Sequence, residues 1–86
     1  MADDDTIEFF PDMVFVPHRM RHALVVEVTH GPALVGFILH PSGERFHVLN
    51  ERGNPIRVTA EEDDAIQALH TYERRRIDRD DNWLYV

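Results

Sequence analysis

Residues 24–58 read LVVEVTHGPALVGFILHPSGERFHVLNERGNPIRV, and this stretch decides the fold. Its apolar segments are short, and turns that contain Gly or Pro separate them at residues 30–32, 41–44 and 51–54. Short extended segments between such turns are typical of antiparallel strands joined by hairpins. The stretch therefore predicts four consecutive strands in a meander. Pro55 further predicts that the last strand lies at a sheet edge, because proline cannot donate to a central ladder.

The residues that follow, TAEEDDAIQALHTYERRRI at 59–77, predict a helix over residues 60–76. Thr59 and Glu62 have the spacing of a capping box, acidic residues crowd the first turns, and arginines crowd the last. The apolar residues recur on one stripe of that helix: Ala65, Ile66, Leu69, Tyr72 and Ile77. Residues 78–82 are polar and are predicted to form a solvated linker before an apolar terminus that starts at Trp83.

The chain is therefore predicted to be α+β, with an antiparallel β-meander of about four strands followed by one C-terminal amphipathic helix. Its 86 residues suit one domain. We expect that domain to span residues 9–86, after a flexible acidic tail at residues 1–8. The apolar segment 13–16 is expected to add a short strand or an extended cover.

The composition disfavours several classes of protein. The net charge is -7 and the acidic residues concentrate at the two ends, so general affinity for nucleic acid is not expected. No cysteine is present to form disulfides or thiolate metal sites. No segment approaches the roughly 20 apolar residues of a membrane span, and the first residues lack the positive charge of a secretory signal. We therefore expect a cytoplasmic protein; nine arginines without a lysine suggest a GC-rich bacterial or phage genome.

No residue pattern predicts catalysis. The only serine, Ser42, lies in a Pro-Ser-Gly turn and lacks the glycines of a nucleophile elbow. Residues 78–82 carry acids at the spacing of a calcium loop, but Trp83 stands where that loop requires glycine. The sequence therefore predicts neither an enzyme nor a bound cofactor.

Two alternatives involve the basic residues of the central segment. His18 and His22 are four residues apart, which is the spacing of a helical metal pair, but Arg19 and Arg21 flank the would-be ion. Scattered surface histidines are the main interpretation, and a metal site at His18 and His22 is the weaker one.

The other alternative is a nucleic-acid-binding regulator that uses the Arg- and His-rich central segment. Arginine forks suit phosphate, and an aromatic residue on the sheet could stack on a base. The candidate cations are Arg19, Arg21, His22, Arg45, Arg52 and Arg57. Glutamates at 27, 44 and 51 oppose these arginines, so the charge pattern favours ordinary exposed strand ends.

Alternation and turns of even length assign the strand residues to two faces. One face is predicted to hold Leu24, Val26, Val28, Val35, Phe37, Leu39, Phe46 and Val48. The other is predicted to hold Val25, Glu27, Leu34, Ile38, His47, Leu49, Ile56 and Val58. Both faces are substantially apolar, yet one helix covers only one of them. The second face must be covered by the N-terminal segment, by the C-terminal tail or by another chain.

This surplus of apolar surface supports the leading hypothesis. It is a non-catalytic protein-interaction module that acts through a sheet face and acidic ends, with another protein or a second copy of itself as partner. A homodimer through this surface is weighed evenly against the other covers. The candidate contact residues are Phe9, Phe10, Val14, Phe15, Ile38, Leu49, Ile56, Val58 and Trp83.

Overall fold

The computed structural model describes residues 10–83, and their side chains from residue 10 to residue 79. The predicted tail at 1–8, Phe9 and residues 84–86 lie outside the described residues, and so does the Trp83 side chain. The elements are β1 Met13–Arg19, β2 Ala23–His30, β3 Ala33–Pro41, β4 Phe46–Asn50, β5 Pro55–Thr59 and α1 Glu62–Trp83.

The five strands form one antiparallel sheet in the order of the chain, with β1 and β5 at its edges. The predicted meander with one C-terminal helix is confirmed, and so is the edge position of the strand that begins at Pro55. The segment 13–16 belongs to a full strand that pairs with β2 along its whole length. The sheet therefore has one strand more than the four expected.

An extra residue in β3 sets the register of the centre of the sheet. Val28 pairs with Gly36, whereas Thr29 pairs with Leu34, so Val35 has no partner of its own in β2. Val35 is fully buried in the core, and Gly36 faces Leu69 of the helix. Two consecutive residues of β3 therefore lie on the helix side, and the alternation of the strand is reversed beyond them.

The predicted sides of Phe37 and Leu39 are wrong. A turn of even length at 41–44 would pair Phe37 with Val48 and Leu39 with Phe46, whereas Phe37 pairs with Leu49 and Leu39 with His47. Phe37 and Leu39 consequently lie on the face away from the helix, while Ile38 is part of the buried core. The Leu39–His47 register, extended towards the turn, leaves three residues, 42–44, in the turn. Because this number is odd, Val48 lies on the helix side with Ile38, and this is the side predicted for Val48.

A second irregularity lies between β4 and β5. Val48 pairs with Arg57 and Leu49 with Pro55, which leaves Ile56 as the extra residue. Ile56 lines a depression beside the helix residues Ala68 and Tyr72, so its predicted place on the uncovered face is wrong. The assignment of faces from turns of even length fails at both irregularities, because each inserts one unpaired residue.

The helix begins later and ends later than predicted. Thr59 belongs to β5 and donates from its hydroxyl to the Glu61 carbonyl at 2.8 Å, so it does not form a capping box with Glu62. The Glu61 carbonyl accepts from the Ala65 amide, which makes Glu61 the N-cap. Residues 78–82 are helical rather than a linker, and the last turn contains no basic residue.

The core lies between the helix and one face of the sheet. The helix packs on β3, β4 and β5, and its predicted stripe is buried at Ala65 and Leu69. The buried apolar residues are Met13, Val28, Val35, Ile38, Val48, Ala65 and Leu69.

At Gly36, β3 lies close to both β4 and the helix, and this position provides a test of the packing. A Cβ atom there would lie 2.3 Å from the Leu49 carbonyl oxygen and 3.1 Å from Leu69 Cδ2. We expect Gly36→Ala to lower the free energy of unfolding by about 3 kcal/mol, because backbone cannot move aside without disturbing the ladder. Urea unfolding measures the change.

Gly53→Ala is the matched control. Gly53 has a φ of 82° in the β4–β5 turn, and a Cβ there meets nothing within 4 Å. Its substitution should lower stability by about 1 kcal/mol through backbone strain alone. Equal losses in the two variants would contradict the close approach at Gly36.

Candidate functional site

One face of the sheet, here called the open face, carries large apolar residues from all five strands. The strand register and the alternation of side chains place on it Val14, Val16, Val25, Leu34, Phe37, Leu39, Leu49 and Val58. An antiparallel sheet with one solvated face normally alternates apolar residues inside with polar residues outside. The open face departs from that pattern.

No element among residues 10–83 covers the open face. The helix lies on the opposite side of the sheet, against β3 to β5. Val14 and Val16 in β1 are 51% and 40% exposed, and Val58 in β5 is 49% exposed. The apolar surface therefore extends from one edge of the sheet to the other.

The ionisable strand residues of the open face are His18, Glu27 and His47. His18 Nε2 lies 3.2 Å from Glu27 Oε1, so the acid has a basic neighbour on the adjacent strand. His47 Nε2 lies 3.9 Å from Glu44 Oε1 in the nearby turn. Each of these carboxylates therefore has a histidine beside it, and the face as a whole carries little net charge.

The predicted contact residues divide between the two sides of the sheet. Val14, Leu49 and Val58 lie on the open face. The predicted residues that lie on the helix side are Phe10, Phe15, Ile38 and Ile56. Phe9 and the Trp83 side chain are outside the described residues. The structure therefore brings together three of the candidates at the open face.

Val16, Phe37 and Leu39 belong to the open face although they were not among the contact candidates. Alternation from Val14 would have found Val16 once residues 13–19 were recognised as a strand. Phe37 and Leu39 carried no such signal, because their side depends on the unpaired Val35.

A second cluster lies on the helix side, at the end of the sheet that holds the β2–β3 turn. The Glu73 carboxylate is fully buried and accepts two hydrogen bonds from Arg76, from Nε at 2.8 Å and from Nη2 at 2.9 Å. His30 Nδ1 lies 2.5 Å from Glu73 Oε2, and His30 Nε2 lies 3.0 Å from Asp12 Oδ1. When protonated, His30 donates to both carboxylates and joins the helix to the start of β1.

The charges of this cluster shift the pKa values of its members in opposite directions. The hydrogen bond to Glu73 raises the pKa of His30 above 6.5, against the opposing effect of burial, and Asp12 adds to the rise. Burial alone would raise the pKa of Glu73, but hydrogen bonds from Arg76 and His30 together lower it below 4.5. The cluster therefore favours the charged forms of both residues.

His70 lies beside this cluster and favours the neutral form. Burial lowers its pKa, and the charge of His30 lowers it further. The Phe10 amide donates to His70 Nδ1 at 3.0 Å, which places the ring proton of neutral His70 on Nε2. The Phe10 ring stacks on His70, with centroids 6.2 Å apart, so the chain enters β1 from the helix side.

The cluster has the geometry of a structural clamp. A histidine–carboxylate pair supports catalysis when it activates a nucleophile within hydrogen-bond reach. Ser42 is the only serine in the chain, and it lies in the β3–β4 turn, at the other end of the sheet from His30. Every polar contact of His30 instead joins two parts of the fold.

The basic residues of the central segment do not form one stripe. Arg19 and Arg21 line a depression with His40 and Ser42 at the end of the sheet that holds the β1–β2 turn. Arg52 lies in the β4–β5 turn, at the opposite end. The helix begins at the same end as Arg19 and Arg21, with acidic residues at 61–64, so this end provides no extended basic surface for nucleic acid.

The two candidate metal ligands, His18 and His22, lie in different parts of the structure. His18 contacts Glu27 on the open face, whereas His22 lies in the β1–β2 turn. Within the described part of the chain, no group of three or more His, Asp or Glu residues could hold a metal ion. Over the same residues, no helix is both long enough and apolar enough to cross a membrane.

In comparisons with known proteins, no family model, no curated protein and no solved structure matches this chain.

The buried clamp predicts the effect of removing one charge. Glu73→Gln keeps the shape of the side chain but leaves Arg76 and His30 without their shared carboxylate. We expect the free energy of unfolding to fall by about 3 kcal/mol, as for other broken buried ion pairs. Asp78→Asn is the control, because the Arg74–Asp78 pair is exposed and should change stability by about 0.5 kcal/mol or less. Similar losses in both variants would contradict the clamp.

The pH dependence of stability should report on His30. Its pKa is raised on folding, so its contribution is complete below the unfolded value of 6.5 and is lost as the pH rises through the folded value. The stability difference between the wild type and His30→Gln should therefore be largest below pH 6.5 and shrink above it. Urea unfolding over a pH series measures this, with His18→Gln as the control for loss of an exposed histidine. A difference that grows with pH would show that the sign is wrong.

Proposed function

We propose that the protein is a non-catalytic protein-interaction module that binds a flat apolar protein surface through its open face. One observation supports this proposal above the others. Large apolar residues from all five strands lie on a face that no element among residues 10–83 covers. Contiguous exposed apolar surface of this kind marks interaction sites in soluble proteins.

The chemistry of the open face suits protein better than the other ligands considered. Only three of its strand residues are ionisable, and Glu27 is already paired with His18. Nucleic acid requires clustered cations, which this face lacks. A partner that buries apolar side chains without introducing charge matches the face best.

Site-specific photocrosslinking tests this function. A benzoylphenylalanine at position 58 would report contacts of the open face, since Val58 is 49% exposed and its replacement leaves the core intact. In lysate of the source cells, we expect crosslinked species that contain this protein and a protein partner, because the apolar face should be occupied. Denaturing electrophoresis and mass spectrometry identify them.

The same photoreactive residue at position 20 is the matched control. Met20 is 61% exposed and lies in the β1–β2 turn, beyond the end of β1, where it lines a depression with Arg19 and His40. Crosslinks from position 58 but not from position 20 would support a face-specific contact. Equal crosslinking from both positions, or none from position 58, would overturn the proposed function.

A further inference from the structure

We propose that the open face binds a second copy of this chain, so that two sheets pack face to face around a two-fold axis with their helices outside. This inference rests on the proposed function, and it names the partner.

The width of the apolar surface fits another sheet better than it fits a helix. Five strands at a spacing of about 4.8 Å make a face about 24 Å wide, whereas a helix with its side chains is about 10 Å across. A docked helix would leave Val14 at one edge or Val58 at the other uncovered. A second open face has the same width and covers both edges, because an isologous contact matches a surface to itself.

The edges of the sheet are less suited to association than its face. β1 contains Pro17 and β5 begins with Pro55. Proline lacks the amide hydrogen that a further strand requires, and it is a common means of blocking edge pairing. Extension of the sheet by strand pairing is therefore disfavoured at both edges, which leaves packing between faces.

The distribution of charge also favours contact through the open face. Each chain carries a net charge of -7, so two copies repel one another over most approaches. The acids of the helix lie on the far side of the sheet, beginning with Glu62, Asp63 and Asp64. On the open face, Glu27 is paired with His18. Contact through this face keeps the acidic helices of the two copies apart.

The described ends of the chain both lie on the helix side. Phe10, the first described residue, contacts His70 of the helix. The helix continues to Trp83, the last described residue. Both described ends therefore lie across the sheet from the open face, which leaves this face accessible to a second copy.

The area is sufficient for a weak but specific dimer. Strands of five to nine residues and a width of about 24 Å give a footprint of about 500 Å² on each copy. The total of about 1,000 Å² reaches the lower limit for specific protein interfaces. We therefore expect a dimer that dissociates in the micromolar range rather than a permanent one.

Sedimentation equilibrium of the full chain over the micromolar range tests this dimer. We expect the wild type to pass from monomer to dimer with rising concentration. Val14→Glu and Val58→Glu place a carboxylate at opposite edges of the open face, and each change occurs twice in a two-fold dimer. Each should weaken dimerisation at least about tenfold, because the added charge is desolvated at the contact.

Met20→Glu is the control, since it adds the same charge at an apolar residue that is 61% exposed and lies in the β1–β2 turn, beside Arg19 and His40. It should dimerise like the wild type, and circular dichroism confirms that all variants fold. A wild type that stays monomeric would overturn the inference, as would a dimer that Val58→Glu and Met20→Glu weaken equally.

The crosslinking result separates this inference from the proposed function. If position 58 crosslinks to a different protein while the purified chain stays monomeric, the second-copy inference is wrong and the interaction module stands. If position 58 crosslinks to nothing, both are wrong. A self-crosslink together with the two weakened variants supports both.

Discussion

Val35, the β3 residue that has no partner in β2, determines which side of the sheet the following residues of β3 face. It places Val35 and Gly36 together on the helix side, and the absence of a side chain at Gly36 lets Leu69 and the Leu49 carbonyl approach. Beyond Gly36 the side chains of β3 alternate with the opposite parity, so Ile38 packs in the core. The same extra residue sends Phe37 and Leu39 to the open face. The extra residue therefore decides both that Ile38 packs in the core and that Phe37 and Leu39 lie on the open face.

The clamp around Glu73 joins the helix to β2 and to the start of β1, beyond the buried helix residue Leu69. A fully buried carboxylate is strongly destabilising unless it is paired and hydrogen-bonded, and here Arg76 and His30 supply both. His30 and the neighbouring His70 respond to protonation in opposite ways, since the pKa of one is raised and that of the other is lowered. As the pH falls, His30 therefore takes up its proton before His70 does, so the clamp is charged while the neighbouring ring is still neutral. Stability in this region depends on the balance between these two histidines.

The sequence predicts the class of the fold because its turns and its helix have strong local signals. Pro and Gly at the turns and the apolar stripe at Ala65 and Leu69 identify the meander and the helix. The faces are less predictable, because one unpaired residue reverses a strand without changing its composition. The burial of Glu73 could not be predicted either, because a glutamate followed by three arginines is typical of a solvated helix face. The open face was expected to exist, but Phe37 and Leu39 were assigned to its opposite.

The open face is uncovered within residues 10–83 because the single helix there lies on the other side of the sheet. On that other side α1, which is about 10 Å across, packs on β3, β4 and β5. A lone sheet in this situation is stable in water when its other side is polar. Here the edge strands β1 and β5 carry exposed valines instead, so the apolar surface continues to positions that no helix of this width could reach. The partner proposed for this surface, the open face of a second copy, matches it in breadth and in its low charge.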